Sequence, residues 1–294
     1  MGNISRVIQQ IPNLITTGIV VGCIVALAAL GLSLIFSIQH FVNVAHGEYM
    51  TVAAYATLFF SSLGVNMVLS AAMGILVCIA VVLLVYILVF KRMRNVPSVS
   101  LVITSIGVGF ILRYGIAAIW GSQIIRYPIK VSSGIDLGWI RTTPEEIIIV
   151  VVTIIEMIGL YLVLKKTRLG IEMRAVADVP DLARVSGISR DRVILWTWVI
   201  AAILAASGGI GVAMYSFLTP LLGWQMLLVA FSAAILGGIG SPQGAVIGGL
   251  IMGITQELST LIIPVNYKLA VAFFMIFLVL LLRPSGIFGK VTRI

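Results

Sequence analysis

Long apolar runs, separated by short polar segments, dominate the hydrophobic pattern of this chain. Five runs approach or exceed the roughly 20 residues that a helix needs to cross a bilayer, and they cover residues 14–37, 67–90, 99–120, 146–164 and 193–215. Four shorter or interrupted runs cover residues 46–63, 225–239, 243–263 and 265–282. The runs lack the alternation that membrane β-strands show. The pattern predicts an all-α polytopic membrane protein with about eight or nine transmembrane helices.

The composition supports this class and argues against a soluble part. Of the 294 residues, 61% are hydrophobic and 10% are charged, whereas a soluble domain is about 25% charged. No polar stretch is long enough to fold alone, so we expect residues 1–294 to form a single transmembrane domain. Cys23 and Cys78 both lie within apolar runs, which favours two buried free thiols over a disulfide.

The net charge of +9 is unevenly distributed along the chain. Thirteen of the 19 lysines and arginines lie in three places, at residues 91–94, 165–192 and 283–293. Positive charge near span ends marks the cytoplasmic side, so we expect these places to face the cytosol and the loop 121–144 to lie outside. This clustering argues against a nucleic-acid partner. The N-terminus would lie outside if the first span runs inward, and inside if residues 38–48 re-enter the membrane.

The longest charged segment, residues 165–192, has an amphipathic pattern. Its apolar positions Val176, Leu182 and Val185 fit short helices that break near Pro180 and Gly187. A passive solvated loop is the alternative interpretation. The pattern favours a cytoplasmic surface that binds a soluble partner.

Two polar or glycine-rich interruptions lie between apolar runs, at residues 43–48 and 237–244. Backbone groups freed from helical pairing at membrane depth must face protein or a wet cavity, and paired interruptions in the two halves of a transporter indicate its pathway. We therefore expect the two interruptions to approach each other near a substrate route. An interfacial turn for the first, and a tight turn with close packing through Gly248, Gly249 and Gly253 for the second, are the alternatives. The candidate pathway residues are Asn43, His46, Glu48, Gly238, Gly240, Gln243 and Glu257.

Four ionisable residues stand alone within apolar runs: Arg113, Glu156, Glu257 and Lys268. Each is costly in lipid, so we expect it to face protein, water or the interface. We expect Glu257 to line the pathway, and Lys268 to reach the interface without a functional role. Glu156 has no obvious partner in the sequence.

Motifs for catalysis and cofactor binding are missing from the sequence. It contains no P-loop, no dinucleotide glycine fingerprint and no cysteine–histidine cluster with metal-binding spacing. We therefore expect no enzymatic activity, no bound cofactor and no metal site in this chain. The energy for any transport would come from an ion gradient or from another subunit.

Three separated motifs resemble those of a known family. The charged segment resembles the cytoplasmic coupling loop of ABC importer permeases. The motifs Asn43-x-Ala-His-Gly-Glu48 and Leu236-Gly-Gly-Ile-Gly-Ser241, with the C-terminal Arg-Pro-Ser-Gly-Ile-Phe-Gly, resemble those of branched-chain amino acid permeases, in particular the shorter of the two permeases in such systems. The coupling residues that the resemblance implies are Gly170, Glu172, Arg174, Ala175, Ala177, Asp178, Ala183, Arg184 and Gly187.

The resemblance implies a permease subunit, with interrupted helices, of a binding-protein-dependent ABC importer in the prokaryotic cell (inner) membrane. Its implied partners are a second related permease, two subunits that bind ATP and Mg²⁺, an extracytoplasmic substrate-binding protein and the surrounding lipid. In the coupling loop, Ala175, Ala177 and Ala183 would allow close seating on an ATPase. Arg174, Asp178 and Arg184 would set its register by charge.

Several alternatives stay open at this point. Within the family, the substrate could be a branched-chain amino acid, urea or an amide. A proton-driven secondary transporter would use His46, Glu48 and Glu257 as a relay, and would work without ATPase subunits. A structural or assembly membrane protein would leave uptake unchanged when deleted.

Overall fold

The computed structural model describes residues 2–93, 96–128, 134–136, 141–283 and 285–289, with side chains from residue 10 onward. Its α-helices are α1 (Gly2–Gln39), α2 (His46–Ser62), α3 (Met67–Val85), α4 (Ser98–Trp120), α5 (Pro144–Lys166), α6 (Arg168–Asp178), α7 (Pro180–Val185), α8 (Arg190–Tyr215), α9 (Leu222–Gly237), α10 (Pro242–Ser259) and α11 (Lys268–Leu282). A π-helical turn at Tyr86–Phe90 continues α3, and a 3₁₀ turn at Val265–Tyr267 precedes α11. Strands β1 (Ile135–Asp136) and β2 (Arg141–Thr142) form a small antiparallel pair. The basic residues Arg94, Lys290 and Arg293, and Pro284 of the C-terminal motif, lie outside the described residues.

All nine apolar runs form helices, but fewer of these helices qualify as membrane spans. Within the described ranges, six are long and apolar enough to cross a bilayer, or seven if α9 and α10 count as one span. Those two helices are bent by 120° at their junction. At 17 residues, α2 is about 26 Å long, against a hydrocarbon core of roughly 30 Å. The predicted count of eight or nine spans is therefore not confirmed, whereas the all-helical membrane class is.

Helix α1 lies at the centre of the bundle. In its most apolar stretch 83% of the residues are buried, against 11% for the stretch that contains α11. Helices α5, α8, α9 and α10 pack on α1, and α2 packs mainly on α3, α8 and α9. Among the candidate spans, those that contain α3, α4, α5 and α11 are the least buried and form the outer helices. The large apolar side chains of the outer helices are exposed in this single chain, so they face lipid or a partner protein.

Glycines allow α1 and α10 to pack backbone against backbone. A Cβ atom on Gly253 would lie 2.2 Å from the Gly22 nitrogen, and one on Gly249 would lie 2.5 Å from the Ala26 Cα. Small residues permit this close approach of membrane helices. Close packing through Gly249 and Gly253, which belongs to the alternative interpretation of the second interruption, is therefore present.

The bundle has two distinct ends. We call the segment between α4 and α5 the 121–143 loop. Near one end of the bundle, the Arg141 N–H donates to Asn13 Oδ1 at 2.9 Å, which places the N-terminal part of α1 beside this loop. Near the other end, Phe41 stacks on Phe90 with ring centroids 5.6 Å apart, next to the basic residue Lys91. Helix α5 packs along α1, starts directly after the 121–143 loop and leads to α6, which therefore lies at the second end. Helix α1 runs from the loop end to the α6 end, and α2 runs back towards the loop end.

Candidate functional site

The first interruption is an extended segment that carries the chain into the bundle before α2 begins. His40 has a φ of 55°, and this left-handed residue directly follows α1. The Val44 N–H donates to Ser105 Oγ on α4 at 3.0 Å, and the Ala45 N–H donates to Asn43 Oδ1 at 3.2 Å. Side chains therefore satisfy backbone donors that lie outside a helix. Helix α2 begins within the protein, beside α4.

His46 fixes the first turn of α2 against α1. Its Nε2 lies 3.1 Å from the Ala28 carbonyl oxygen, and the residue is 1% exposed. A carbonyl accepts a hydrogen bond, so Nε2 carries the proton in this arrangement. A Cβ atom on Gly31 would lie 2.5 Å from the imidazole Cε1. The ring therefore occupies space that the glycine leaves open.

Glu48 forms a buried ion pair with Arg113 of α4. Arg113 Nε donates to Glu48 Oε1 at 3.0 Å, and the guanidinium Nη2 donates to the same oxygen. The guanidinium carbon also lies 4.9 Å from the ring centroid of Trp224 on α9 and 5.6 Å from that of Phe110. A cation–π contact of this kind is stronger where water is excluded. The pair joins α2, α4 and α9 at one point.

The second interruption packs against a different set of elements. The Gly240 N–H donates to Ser33 Oγ on α1 at 3.0 Å. The C-terminal segment pairs with the end of α9, since the Ile287 and Phe288 N–H groups donate to the carbonyls of Leu236 and Gly237 at 2.9 and 3.0 Å.

The three predicted pathway residues of the second interruption, Gly238, Gly240 and Gln243, lie in different local environments. Gly238 and Gly240 have φ values of 102° and 85°, and Gln243 is exposed in the first turn of α10. The contacts described for the two interruptions lead to α1 rather than to each other. The first contacts α1 at Ala28 and Gly31, and the second contacts it at Ser33 and Ser37.

Glu257 lies in a different place from Glu48, beside a cavity of about 360 Å³. Its Oε1 is 2.5 Å from the Nζ of Lys268, and Gln256 Nε2 donates to the Lys268 carbonyl at 3.1 Å. We expected Lys268 to extend to the membrane interface without a functional role, and that expectation did not include its contact with Glu257.

Glu156 also has a partner that the sequence did not reveal, because Ser207 Oγ of α8 donates to its Oε1. The four lone ionisable groups therefore take part in three contacts between different helices. These are Arg113 with Glu48, Glu156 with Ser207, and Glu257 with Lys268. The cost of an unpaired charge in lipid predicted that partners exist. The sequence could not identify these partners, because they lie far apart along the chain. Glu48 and Arg113, for example, are separated by 65 positions.

The inner face of α6 and α7 is built to pack on the bundle. Thr167 caps α6, since its Oγ1 accepts from the Gly170 N–H at 3.2 Å. A Cβ atom on Gly170 would lie 2.3 Å from the Leu164 carbonyl oxygen, so this close contact with α5 requires glycine. Met173 and Val176 are buried beneath α6. Arg174 donates to the same Leu164 carbonyl, which ties it to this chain.

Helix α7 and the residue before it expose three apolar side chains beside exposed charged residues such as Asp181 and Arg184. Val179, Leu182 and Val185 are 50%, 62% and 85% exposed, and we call these three residues the α7 patch. The side chain of Ala183 faces the opposite way and is 4% exposed, so the bundle covers an alanine that was expected to seat a partner. Of the remaining predicted coupling residues, Asp178, Arg184 and Gly187 are exposed, and Glu172, Ala175 and Ala177 are half-buried.

Comparison with known proteins gives one consistent family. Residues 14–280 match the family model described as branched-chain amino acid transport system / permease component. The chain is 32% identical over 298 residues to the high-affinity branched-chain amino acid transport system permease protein LivH of Escherichia coli (strain K12), which covers 96% of both chains. It is 30% identical over 305 residues to BraD of Pseudomonas aeruginosa, a permease protein of the same description, with 99% of this chain and 98% of BraD covered.

A solved structure shows a similar fold. A chain in the structure of PsaBC from Streptococcus pneumoniae in complex with Fab aligns with a TM-score of 0.54, covering 99% of this chain and 100% of that chain. The sequence identity is 12%, so this likeness concerns the fold alone.

Proposed function

Because the chain belongs to the branched-chain amino acid transport permease family, we propose that it is the permease subunit of a binding-protein-dependent ABC importer. In this proposal it moves branched-chain amino acids inward across the cell membrane. Residues 1–294 act as one transmembrane domain, with residues 165–192 as the cytoplasmic coupling loop. The chain itself is a transport subunit and not an enzyme.

The α7 patch is the structural observation that supports this proposal best. Three apolar side chains are exposed on α7 and on the residue that precedes it, at the end of the bundle away from the 121–143 loop. The segment that carries it is rich in basic residues, Lys165, Lys166, Arg168, Arg174, Arg184, Arg190 and Arg192, and also contains Glu172, Asp178, Asp181 and Asp191. Because positive charge near span ends favours the cytosolic side, the proposal assigns this end to the cytosol. An exposed apolar patch in water, rather than in lipid, indicates a protein contact. The partner is an ATP-binding subunit, which would hold the ATP and Mg²⁺ that drive transport.

Contacts beneath α6 provide a route for mechanical coupling. The backbone of Gly170 packs on the end of α5, and α6 also packs on α1 and α8. A displacement of α6 and α7 by the partner would therefore move the helices that surround both interruptions. Arg184 and Asp178 would set the register of this contact. The remaining partners in the proposal are a second related permease, which would cover part of the exposed outer helices, and an extracytoplasmic substrate-binding protein.

Charge placed in the α7 patch tests the proposal. The variant Leu182→Asp/Val185→Asp should fail to co-purify the ATP-binding subunits and should lose uptake of leucine in proteoliposomes, because the aspartates would have to be buried unpaired in the interface. The matched control is Ile124→Asp, which alters a side chain that is 68% exposed on the opposite side of the bundle. This control should retain the ATP-binding subunits. Full co-purification and full uptake in the double variant would refute the proposed coupling surface.

The alternative functions differ in substrate and in energy source. The full-length relatives named above are described as branched-chain amino acid permeases, which favours that substrate over urea or an amide. A proton-driven carrier would import substrate without the ATP-binding subunits, whereas the proposed permease would not. Uptake assays with and without those subunits therefore separate the two energy sources.

A further inference from the structure

A cavity of about 360 Å³ lies between α1, α8, α9, α10 and the start of α11. Its volume is within the range of small-molecule sites, roughly 300–1,000 Å³, at the lower end that suits a single amino acid. Apolar side chains form much of its wall: Val21, Ile24, Val212, Met226, Val229 and Leu269. Glu257 and Lys268 form the charged part of the same wall.

The location of the cavity places it on the side of the 121–143 loop. Tyr215 and Ser216 line it at the end of α8, whereas α8 starts at Arg190, next to the coupling loop. Two residues further on, Leu218 pairs through its backbone with Ile125 of the 121–143 loop, at 2.9 and 3.0 Å. A substrate released at the outer face would therefore meet this cavity before it reached the cytoplasmic half.

The charged pair in the cavity matches the two charges of a free amino acid. Glu257 is 5% exposed and its carboxylate contacts the Lys268 ammonium. A zwitterion carries one carboxylate and one ammonium on a single carbon atom, so it can give each of these groups a new opposite partner. A molecule with a carboxylate alone would pair with Lys268 and leave the buried Glu257 carboxylate without a partner, which is strongly unfavourable. A molecule with an ammonium alone would leave the Lys268 ammonium, whose side chain is 28% exposed, without its partner.

From this arrangement we propose that the cavity is a subsite for a zwitterionic amino acid with an apolar side chain. The α-carboxylate pairs with Lys268, the α-ammonium pairs with Glu257, and the side chain contacts the apolar wall. Opening of the Glu257–Lys268 pair accompanies binding. This inference rests on the proposed function, and it names the part of the permease that recognises the substrate.

A cysteine protection experiment tests the subsite directly. The assembled transporter, in lipid nanodiscs and without the binding protein, carries Ser216→Cys in a Cys23→Ser/Cys78→Ser background. L-leucine at millimolar concentration should slow alkylation of this cysteine at least about fivefold, because a bound ligand excludes the reagent. The matched control is Ser62→Cys, which is exposed at the end of α2, a helix that does not line the cavity. Its alkylation rate should not change.

Analogues that lack one charge decide the recognition chemistry. 4-Methylpentanoate lacks the ammonium and 3-methylbutylamine lacks the carboxylate, and each should protect at least about tenfold less well than leucine, since a site built for a polar group rejects the analogue without it. Protection by either analogue at the leucine concentration would overturn the proposal. O-Phosphoethanolamine, a soluble analogue of a lipid headgroup, tests whether the cavity binds a lipid headgroup instead of an amino acid. Protection by it, without protection by leucine, would assign the cavity to lipid and also overturn the proposal.

Substitution of the charged pair completes the test. Glu257→Gln and Lys268→Gln should each abolish leucine protection in complexes that still assemble. If leucine gives no protection in the complex that retains both Glu257 and Lys268, the subsite is refuted. The proposed function would still stand if that complex imports leucine. Failure of the complete complex, with its binding protein and ATP, to import any branched-chain amino acid would instead refute the proposed function.

Discussion

At the scale of single residues, the Glu48–Arg113 pair is the most consequential contact within the bundle. Glu48 is 1% exposed and Arg113 is 7% exposed, so neither charge has ready access to water. Removal of one partner from such a pair typically costs about 3–5 kcal/mol, because it leaves the other charge buried and unpaired. Removal of both charges is much less costly. The pair therefore predicts strong coupling between substitutions at the two positions.

A double-mutant cycle measures this coupling. Arg113→Met should lower the stability of the purified protein by about 3 kcal/mol or more, while Glu48→Gln/Arg113→Met should lose at least about 1 kcal/mol less than the sum of the single variants. Thermal unfolding in detergent measures both effects. The matched control is Arg126→Met, since Arg126 is exposed and lies 4.4 Å from the ring centroid of Phe217. It should lose about 1 kcal/mol or less. Simple additivity of the two substitutions would contradict the proposed coupling.

The sequence predicted which residues are unusual better than it predicted their partners. Polar and ionisable residues within apolar runs indicated buried interactions because lipid cannot solvate them. Glu48 and Glu257 were both expected in one pathway, yet each pairs with a cation from a different helix. Pairing depends on how helices pack, and no local pattern near Glu48 specifies Arg113. The role of these residues in transport stays a prediction.

At the scale of the elements, the turn between α7 and α8 depends on backbone conformation rather than on space. Gly187 has a φ of 83°, and a Cβ atom there would meet nothing within 4 Å. A branched side chain would therefore strain the backbone by roughly 1–2 kcal/mol without a steric clash. Because this turn connects the α7 patch to α8, we expect strain here to shift the patch, which is the proposed coupling surface.

Substitutions at this glycine should affect coupling in a graded way. We expect Gly187→Val to reduce ATP-dependent leucine uptake at least about fivefold, and Gly187→Asn to remain close to the original protein, because asparagine tolerates the left-handed region. Gly64 is a matched control, since its φ is also 83° and its Cβ position is also open, but it lies between α2 and α3. Gly64→Val should retain coupling. Equal loss of uptake in the Gly64 and Gly187 valine variants would show that the effect comes from general strain.

The elements themselves were largely predictable, and their arrangement was less so. Each apolar run became a helix because lipid requires internal backbone pairing. The 120° bend between α9 and α10 was indicated by the glycines and proline, but its angle is set by contacts with α1 and the C-terminal segment. The orientation of the short helices was also hidden. Leu182 and Ala183 are adjacent, yet the first faces outward and the second faces the bundle.

At the scale of the whole molecule, charge and topology agree on two ends. Lys91 and α6 lie at one end, and the 121–143 loop and the start of α1 lie at the other. The two ends are connected by α1, which runs from the loop end to the α6 end, and by α2, which runs back towards the loop end. Together with the lysine and arginine bias, this arrangement predicts the orientation in which the first span runs inward. Residues 40–45 enter the bundle, but α2 returns to the side where α1 began, so this entry does not reverse the predicted orientation. The bias of lysine and arginine assigns the α6 end to the cytosol.

Accessibility to a membrane-impermeant thiol reagent tests this orientation. In a Cys23→Ser/Cys78→Ser background, cysteine at Ile124 should react in intact cells, because its side chain is 68% exposed beside the outer end of the bundle. Cysteines at Lys91 and Arg184, both exposed positions at the other end, should react only after the membrane is permeabilised. Reaction of all three after permeabilisation is the internal control for exposure. Reaction of Arg184→Cys in intact cells would place the α7 patch outside, where no ATP-binding subunit could reach it, and would refute both the orientation and the coupling surface.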